Sequence, residues 1–235
     1  MVSNDVAALA SGESCDALLL TAKGRVIAPL RIVRRGATDF LLLTEPDLGE
    51  RVQAELRRFR LAARAEIDTE EHSSVVVFGS DRDGIPNSDY GERAIELLDE
   101  VPEGEHMSED RLELLRIQAR TPRHGREIDD RVLPAEAGLV ERAVSFTKGC
   151  YPGQEPIARL HHRGHANRGL RVLEVDATEL PPYDAEVKLD DKPVGRVTST
   201  ARNGEGKIVA LAYVRVEVPA DALLTVEGAE ARSLH

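Results

Sequence analysis

The chain has 235 residues, a mass of 25.7 kDa, 41% hydrophobic content and a formal net charge of −11. It is long enough to bury a core as one large domain or two small ones; it has no apolar run approaching the about 20 residues of a membrane span, and its first residues lack the basic-then-apolar pattern of a secretory signal. The acidity argues against general coating of nucleic acid or anionic membranes, and two cysteines, Cys15 and Cys150, are too few for a disulfide framework or an all-cysteine zinc site, which points to a reducing cytoplasm.

In chain order, Ala17–Leu20 and Val26–Val33 read as strands around a Thr21–Arg25 turn, with Gly24 placed for a positive φ. Thr38–Thr44 reads as a third strand. A helix is expected next, capped by Thr44, with Pro46 in its first turn and Leu48, Val52, Leu56 and Phe59 on one face. Ala62–Ile67 and Ser74–Phe78 read as strands, Gly79–Ser88 as a polar loop and Asp89–Leu98 as a short helix. Ser108 caps a further helix with Leu112, Leu115 and Ile117 on one face, which fades before Thr121-Pro122. Arg123–Gly138 is irregular and charged, and a helix begins near Gln154, with Pro156 in its first turn and Ile157 and Leu160 inward.

From Gly169 the pattern changes. Leu170–Val175, Ala185–Leu189, Pro193–Ser199, Lys207–Val214 and Leu223–Val226 are short strands broken by turn residues, an all-β module such as a small barrel or sandwich. The whole reads as α+β, divided into 1–166 and 167–235.

The charge is uneven. Gln118–Arg171 holds ten Lys/Arg against six Asp/Glu, a net +4, which leaves −15 on the rest. Within that segment, Lys148-Gly149-Cys150-Tyr151-Pro152-Gly153-Gln154-Glu155 sets a cysteine between glycines, after a lysine and before a helix. A helix N-terminus and a nearby ammonium both stabilise a thiolate. Glycines let backbone approach a ligand closely, and a small buried cysteine in a tight turn is the plain alternative. His161 and His165 fall one helical turn apart, a spacing seen in metal sites, but Gly164 interrupts the helix there and no metal is assigned.

Lys148–Glu155 resembles the K-G-C-[FY]-x-G-Q-E signature of the YgfZ proteins, folate-binding relatives of the glycine-cleavage T-protein, an aminomethyltransferase. The likeness extends to Arg116-Ile117-Gln118-Ala119, to Val194–Ser199 and Ala210–Val214, and to Ser3-Asn4-Asp5-Val6. It implies a ferredoxin-like α/β folate-binding part followed by a C-terminal β-barrel around a central cavity. It also implies tetrahydrofolate as cofactor and a role in assembling or repairing iron–sulfur proteins, and through one such client in tRNA modification. Partners would then be iron–sulfur client enzymes and the folate, with no direct nucleic acid and no membrane. The residues that match give Cys150 and Lys148 as the working thiol and its activator, and Arg116, Gln118, Tyr151, Gln154, Glu155 and Arg159 as folate contacts. Two other readings stand beside this one: a folate-dependent aminomethyl transferase, and a non-catalytic scaffold. Against the family pattern the chain is short at its N-terminus and in the stretch Ser74–Asp110, and Gln118 stands where the family has Glu.

Overall fold

The computed structural model describes residues 1–60 and 65–234. Its first sheet is an antiparallel meander of β1 (Ser14–Leu20), β2 (Val26–Arg34) and β3 (Phe40–Leu43). The two long strands are apolar at consecutive positions because both faces of the sheet are covered. Ala17, Leu19, Leu30 and Ile32 pack on Leu48 and on Val52 and Leu56 of α1 (Gly49–Arg58). Leu18, Leu20 and Val26 pack the other way, on Ile128, Val132, Leu139 and Ile157. Thr44 does not cap α1. A short turn of 3-10 helix, Pro46–Leu48, intervenes, and the Thr44 hydroxyl donates to the Pro29 carbonyl at 3.0 Å. Phe59 lies beyond the apolar face and is exposed.

A second antiparallel sheet has the order β4 (Ser74–Phe78), β6 (Ala94–Leu98), β5 (Ile85–Asn87). Here the sequence expectation of a helix over Asp89–Leu98 is corrected. Asp89–Gly91 turns instead, and Ala94–Leu98 pairs with β4 from Ser74↔Leu98 to Phe78↔Ala94. The segment Ala-Ile-Glu-Leu-Leu is neutral between helix and strand, and the ladder to β4 decides it. The strand expected over Ala62–Ile67 lies partly outside the described residues, and 65–67 belong to no strand.

α2 (Glu109–Gln118) starts where expected, with the Ser108 hydroxyl accepting the Arg111 N–H at 3.3 Å. α3 (Val140–Ala143) is one turn, and α4 (Gln154–Arg163) follows the glycine loop. The C-terminal strands are β7 (Arg168–Val175), β8 (Glu186–Leu189), β9 (Lys192–Arg202), β10 (Ile208–Arg215), β11 (Leu224–Val226) and β12 (Ala229–Leu234). They close a six-stranded barrel in the order β10-β7-β12-β11-β8-β9.

β10 shows why the barrel stays attached. Its side chains alternate between faces. Ile208, Ala210, Ala212 and Val214 fill the barrel, while Val209 and Leu211 meet Leu114 and Ile117 of α2, and Tyr213 enters the first sheet's core. A strand buried on both faces therefore reads as one apolar run. At the same junction Arg116 of α2, 7% exposed in its side chain, reaches the fully buried Glu127 at 3.1 Å, Ser199 Oγ at 2.7 Å and the Thr121 carbonyl at 2.6 Å. Ser199 also donates to Glu127 at 2.7 Å, and the Tyr213 hydroxyl donates to the Glu127 carbonyl at 2.8 Å.

Candidate functional site

A half-open cavity of about 1060 Å³ lies between the two sheets, just above the roughly 300–1,000 Å³ usual for small-molecule sites. β1 and β2 form one wall, β4 and β6 the other, and the segment Val101–Met107 forms the rim. On β2 Arg31 alternates with Leu30 and Ile32, so its side chain leaves on the cavity face. Its guanidinium contacts three carboxylates: Glu96 at 2.7 Å, Asp89 at 2.8 Å and Asp16 at 3.4 Å. Arg142 of α3 joins them, at 2.9 Å from Asp89 and 3.4 Å from Asp16. Burial works against the Asp89 charge, but Arg31 and Arg142 outweigh it and its pKa is lowered.

Two features of this cavity suit a polar aromatic guest. Phe78 and Tyr90 stand edge to face, 5.6 Å between ring centres, on its lining. Arg142 Nε is buried and lies 3.4 Å from Asp16 without hydrogen-bond geometry to any described residue. Glu45, also on the lining, accepts the His124 N–H at 2.8 Å, and burial pushes its carboxyl up. The cavity therefore offers an aromatic edge, a wall of paired charges and a partly desolvated carboxyl.

The signature loop is a separate place. None of Arg116, Gln118, Lys148, Cys150, Tyr151, Gln154, Glu155 or Arg159 lines the cavity. Arg116 sits in the junction to the barrel, and Gln118 is exposed at the end of α2. Cys150 is exposed, and the α4 N-terminus begins three residues later at Gly153 with φ +81°. A Cβ at Gly153 would run into the Thr21 carbonyl and the Gly24 backbone, so the two turns seat on each other only as glycines. Lys148 does not float beside the thiol. Its ammonium donates to the Val2 and Asn4 carbonyls at 2.9 and 2.7 Å and lies 5.7 Å over the Tyr151 ring. Burial lowers its pKa, while Asp5 and Cys15 act against that. Tyr151 is buried, its hydroxyl has no hydrogen-bond partner among the described residues, and burial pushes its phenol up. Gln154 is half-buried, while Glu155 and Arg159 are exposed on α4.

His161 stacks on Phe146 at 4.1 Å and meets His162 at 5.0 Å. Among the described residues no group of three or more His, Cys, Asp or Glu is placed to hold a metal ion. The residues that sequence reasoning missed are Arg31, Asp89, Glu96 and Arg142. Only Arg31 carried a local signal, as a lone charge inside the apolar strand Val26–Val33.

The fold has a counterpart among solved structures. A solved structure of the glycine cleavage system aminomethyltransferase T from Bartonella henselae superposes with a TM-score of 0.82, at 19% identity, over 100% of this chain and 78% of that one. Sequence relatives add to it. An uncharacterized protein of Haemophilus influenzae is 27% identical over 206 residues, covering 85% of this chain and 74% of its own length. A tRNA-modifying protein YgfZ of Edwardsiella ictaluri is 39% identical over 94 residues, covering 38% of this chain and 28% of its own. A mitochondrial iron–sulfur cluster assembly factor IBA57 homologue of Aspergillus clavatus is 34% identical over 122 residues, covering 44% of this chain and 27% of its own. The matched stretches thus span under a third of the YgfZ and IBA57 relatives. No family model matches the chain. The chain thus shares the fold of the aminomethyltransferase T structure and, over part of its length, sequence similarity with YgfZ and IBA57 proteins. Among the described residues no helix is long and apolar enough to cross a membrane.

Proposed function

We propose that the chain is a folate-binding factor that supports assembly or repair of iron–sulfur enzymes, and through one of them tRNA modification. Cys150 is its working thiol. The observation that carries the folate part is the cavity between the two sheets, whose size, Phe78–Tyr90 edge and lining carboxylates fit a reduced pterin and its aminobenzoyl group. Asp89 and Glu96 offer acceptors to the pterin's N–H groups, and Tyr90 with Phe78 packs the ring. When bound, the folate supplies a one-carbon carrier. The chain's own residues bind it, orient it and keep water from it.

In this reading the signature loop is a second station on the surface. Cys150 is exposed to a client protein, Gly153 and Gly24 fix its position, and Lys148 ties the loop to the N-terminal segment at Val2 and Asn4. Gln154, Glu155 and Arg159 then serve the surface at Cys150 rather than the pterin, and Arg116 serves the junction. The client is an iron–sulfur enzyme in the cytoplasm.

Calorimetric titration with tetrahydrofolate tests the folate part. We expect saturable one-to-one binding, lost in Arg142→Met and weakened in Tyr90→Ala. Absence of any heat of binding to the folded protein refutes it. Full restoration of iron–sulfur enzyme activity by Cys150→Ala in a strain lacking the gene refutes the role of the thiol.

A further inference from the structure

The second sheet is a unit that packs on itself. Its buried Ile95 and Leu97 lie under its own Gly84, where a Cβ would stand 2.9 and 3.2 Å from their side chains, and its Phe78 and Tyr90 meet each other. Among the described residues, nothing in 70–107 belongs to any of the four apolar cores of the protein. Gly91 rests against Ala119 at the end of α2. Every hydrogen bond or ion pair that joins 70–107 to the other described residues involves one of three arginines. Arg31 reaches Glu96 at 2.7 Å and Asp89 at 2.8 Å, Arg142 reaches Asp89 at 2.9 Å, and the exposed Arg35 reaches Glu70 at 2.7 Å. The segments that lead in and out, 65–73 and 99–107, hold no helix or strand. They are stitched to each other where the sheet begins: the Asp99 N–H donates to the Ser73 carbonyl at 2.8 Å, and the Ser73 N–H donates to the Asp99 carboxylate at 2.9 Å.

The two guanidiniums that hold the sheet also have a partner on the body. Asp16 of β1 lies 3.4 Å from Arg31 and 3.4 Å from Arg142. On the sheet side, Glu96 also accepts the Ser74 hydroxyl. Parting the sheet from the body therefore leaves both arginines a carboxylate and lets water reach the rest, whereas parting two apolar faces would expose both to water.

We propose that the second sheet is a lid on the cavity, latched shut by Arg31 and Arg142, released when these fall back on Asp16, and hinged at the neck formed by 65–73 and 99–107. The lid carries Phe78, Tyr90, Asp89 and Glu96, so its closing brings the aromatic edge and two carboxylates against the cavity's contents. Such a lid serves any guest, folate or another. Local opening exposes its amides to solvent exchange in proportion to the fraction of molecules open.

Hydrogen–deuterium exchange of the full chain without ligand, read by mass spectrometry, tests this. We expect amides of β4 and β6 to exchange at least about tenfold faster than those of β1, β2 and β10. Near 0.5 M salt, which screens the latch, the lid should exchange about two- to fivefold faster still. Asp89→Asn removes two latch pairs and should speed exchange in the lid about tenfold, with the body unchanged. Asp16→Asn removes the partner that receives the arginines on opening, and should slow exchange in the lid about two- to fivefold. Equal protection of lid and body in the parent protein overturns the proposal, because the sheet then opens only with the whole molecule. Faster lid exchange in Asp16→Asn overturns it too, as does a loss of protection in Asp89→Asn that spreads evenly over β1, β2 and β10.

Discussion

Arg116 is the residue on which sequence and structure differ most sharply, and its replacement separates their two accounts. The likeness to folate-binding relatives made it a ligand contact. The structure makes it the buried cation between α2 and the barrel, with Glu127 fully buried against it and Glu113 at 2.7 Å on its outer side. Arg116→Met keeps most of the side-chain volume and removes the charge. Glu127 then keeps the Arg123 N–H at 3.0 Å and the Ser199 hydroxyl but loses its counter-ion. Breaking a buried pair by removing one partner costs about 3–5 kcal/mol. At about 2–4 °C per kcal/mol for a chain of this size, Tm should fall by roughly 6–20 °C.

Glu127→Gln should cost less, because Glu113 still pairs with Arg116. The double variant should lose less than the sum of the two, since both act on one network. Far-UV circular dichroism through thermal and urea unfolding reads this out, as the chain has no tryptophan. A destabilisation below about 1 kcal/mol for Arg116→Met would refute the reasoning, and the refutation would be complete if folate affinity fell instead. We expect folate affinity in the folded variant to stay within a few-fold of the parent.

Cys150→Ser should leave stability within about 0.5 kcal/mol, because the thiol is exposed. In the native protein Cys150 should react with a chromogenic disulfide reagent well before Cys15, whose thiol pKa is raised by burial and then by Asp16; equal rates contradict this. Gly153→Ala places a β-carbon against the Thr21 and Gly24 backbone at positive φ, and should cost about 1–3 kcal/mol and loosen the Cys150 loop, measured by urea unfolding and by protease sensitivity. Asp89 has a lowered carboxyl pKa, so the stability it contributes is present above its unfolded value, near 3.8, and is lost as pH falls through its folded value. Asp89→Asn should remove that part of the acid-unfolding profile, and an unchanged profile counts against the pairing. The His72 pKa is raised by Asp99 and then Glu70, so its ring should titrate by NMR above 6.5 and move down in Asp99→Asn.

Local patterns were sufficient wherever a segment's environment repeats along it. The capped start of α2 at Ser108, the α4 start near Gln154, the strand Ser74–Phe78 and the succession of short barrel strands all follow from side-chain periodicity and turn residues. The loop Lys148–Glu155 announced itself through its glycines, and the structure places Gly153 at a positive φ against Gly24. Ala94–Leu98 was different, because its residues suit a helix or a strand equally and only pairing with β4 made it a wall of the cavity.

The cavity itself was beyond local reading. Asp16, Arg31, Asp89, Glu96 and Arg142 lie on four elements and a turn, up to 126 positions apart in sequence, and each alone looks like an ordinary charged residue. Arg116 likewise offered no local sign that a barrel serine and a buried glutamate would close around it. Periodicity reports which face of an element is buried. What meets that face is set by chain topology, and charge pairing between distant elements exists only once the sheets have packed. The sequence by itself therefore determined the α+β class, the barrel and the position of the exposed thiol loop. Tertiary structure alone decided which charges became a cavity wall and which became a buried strut.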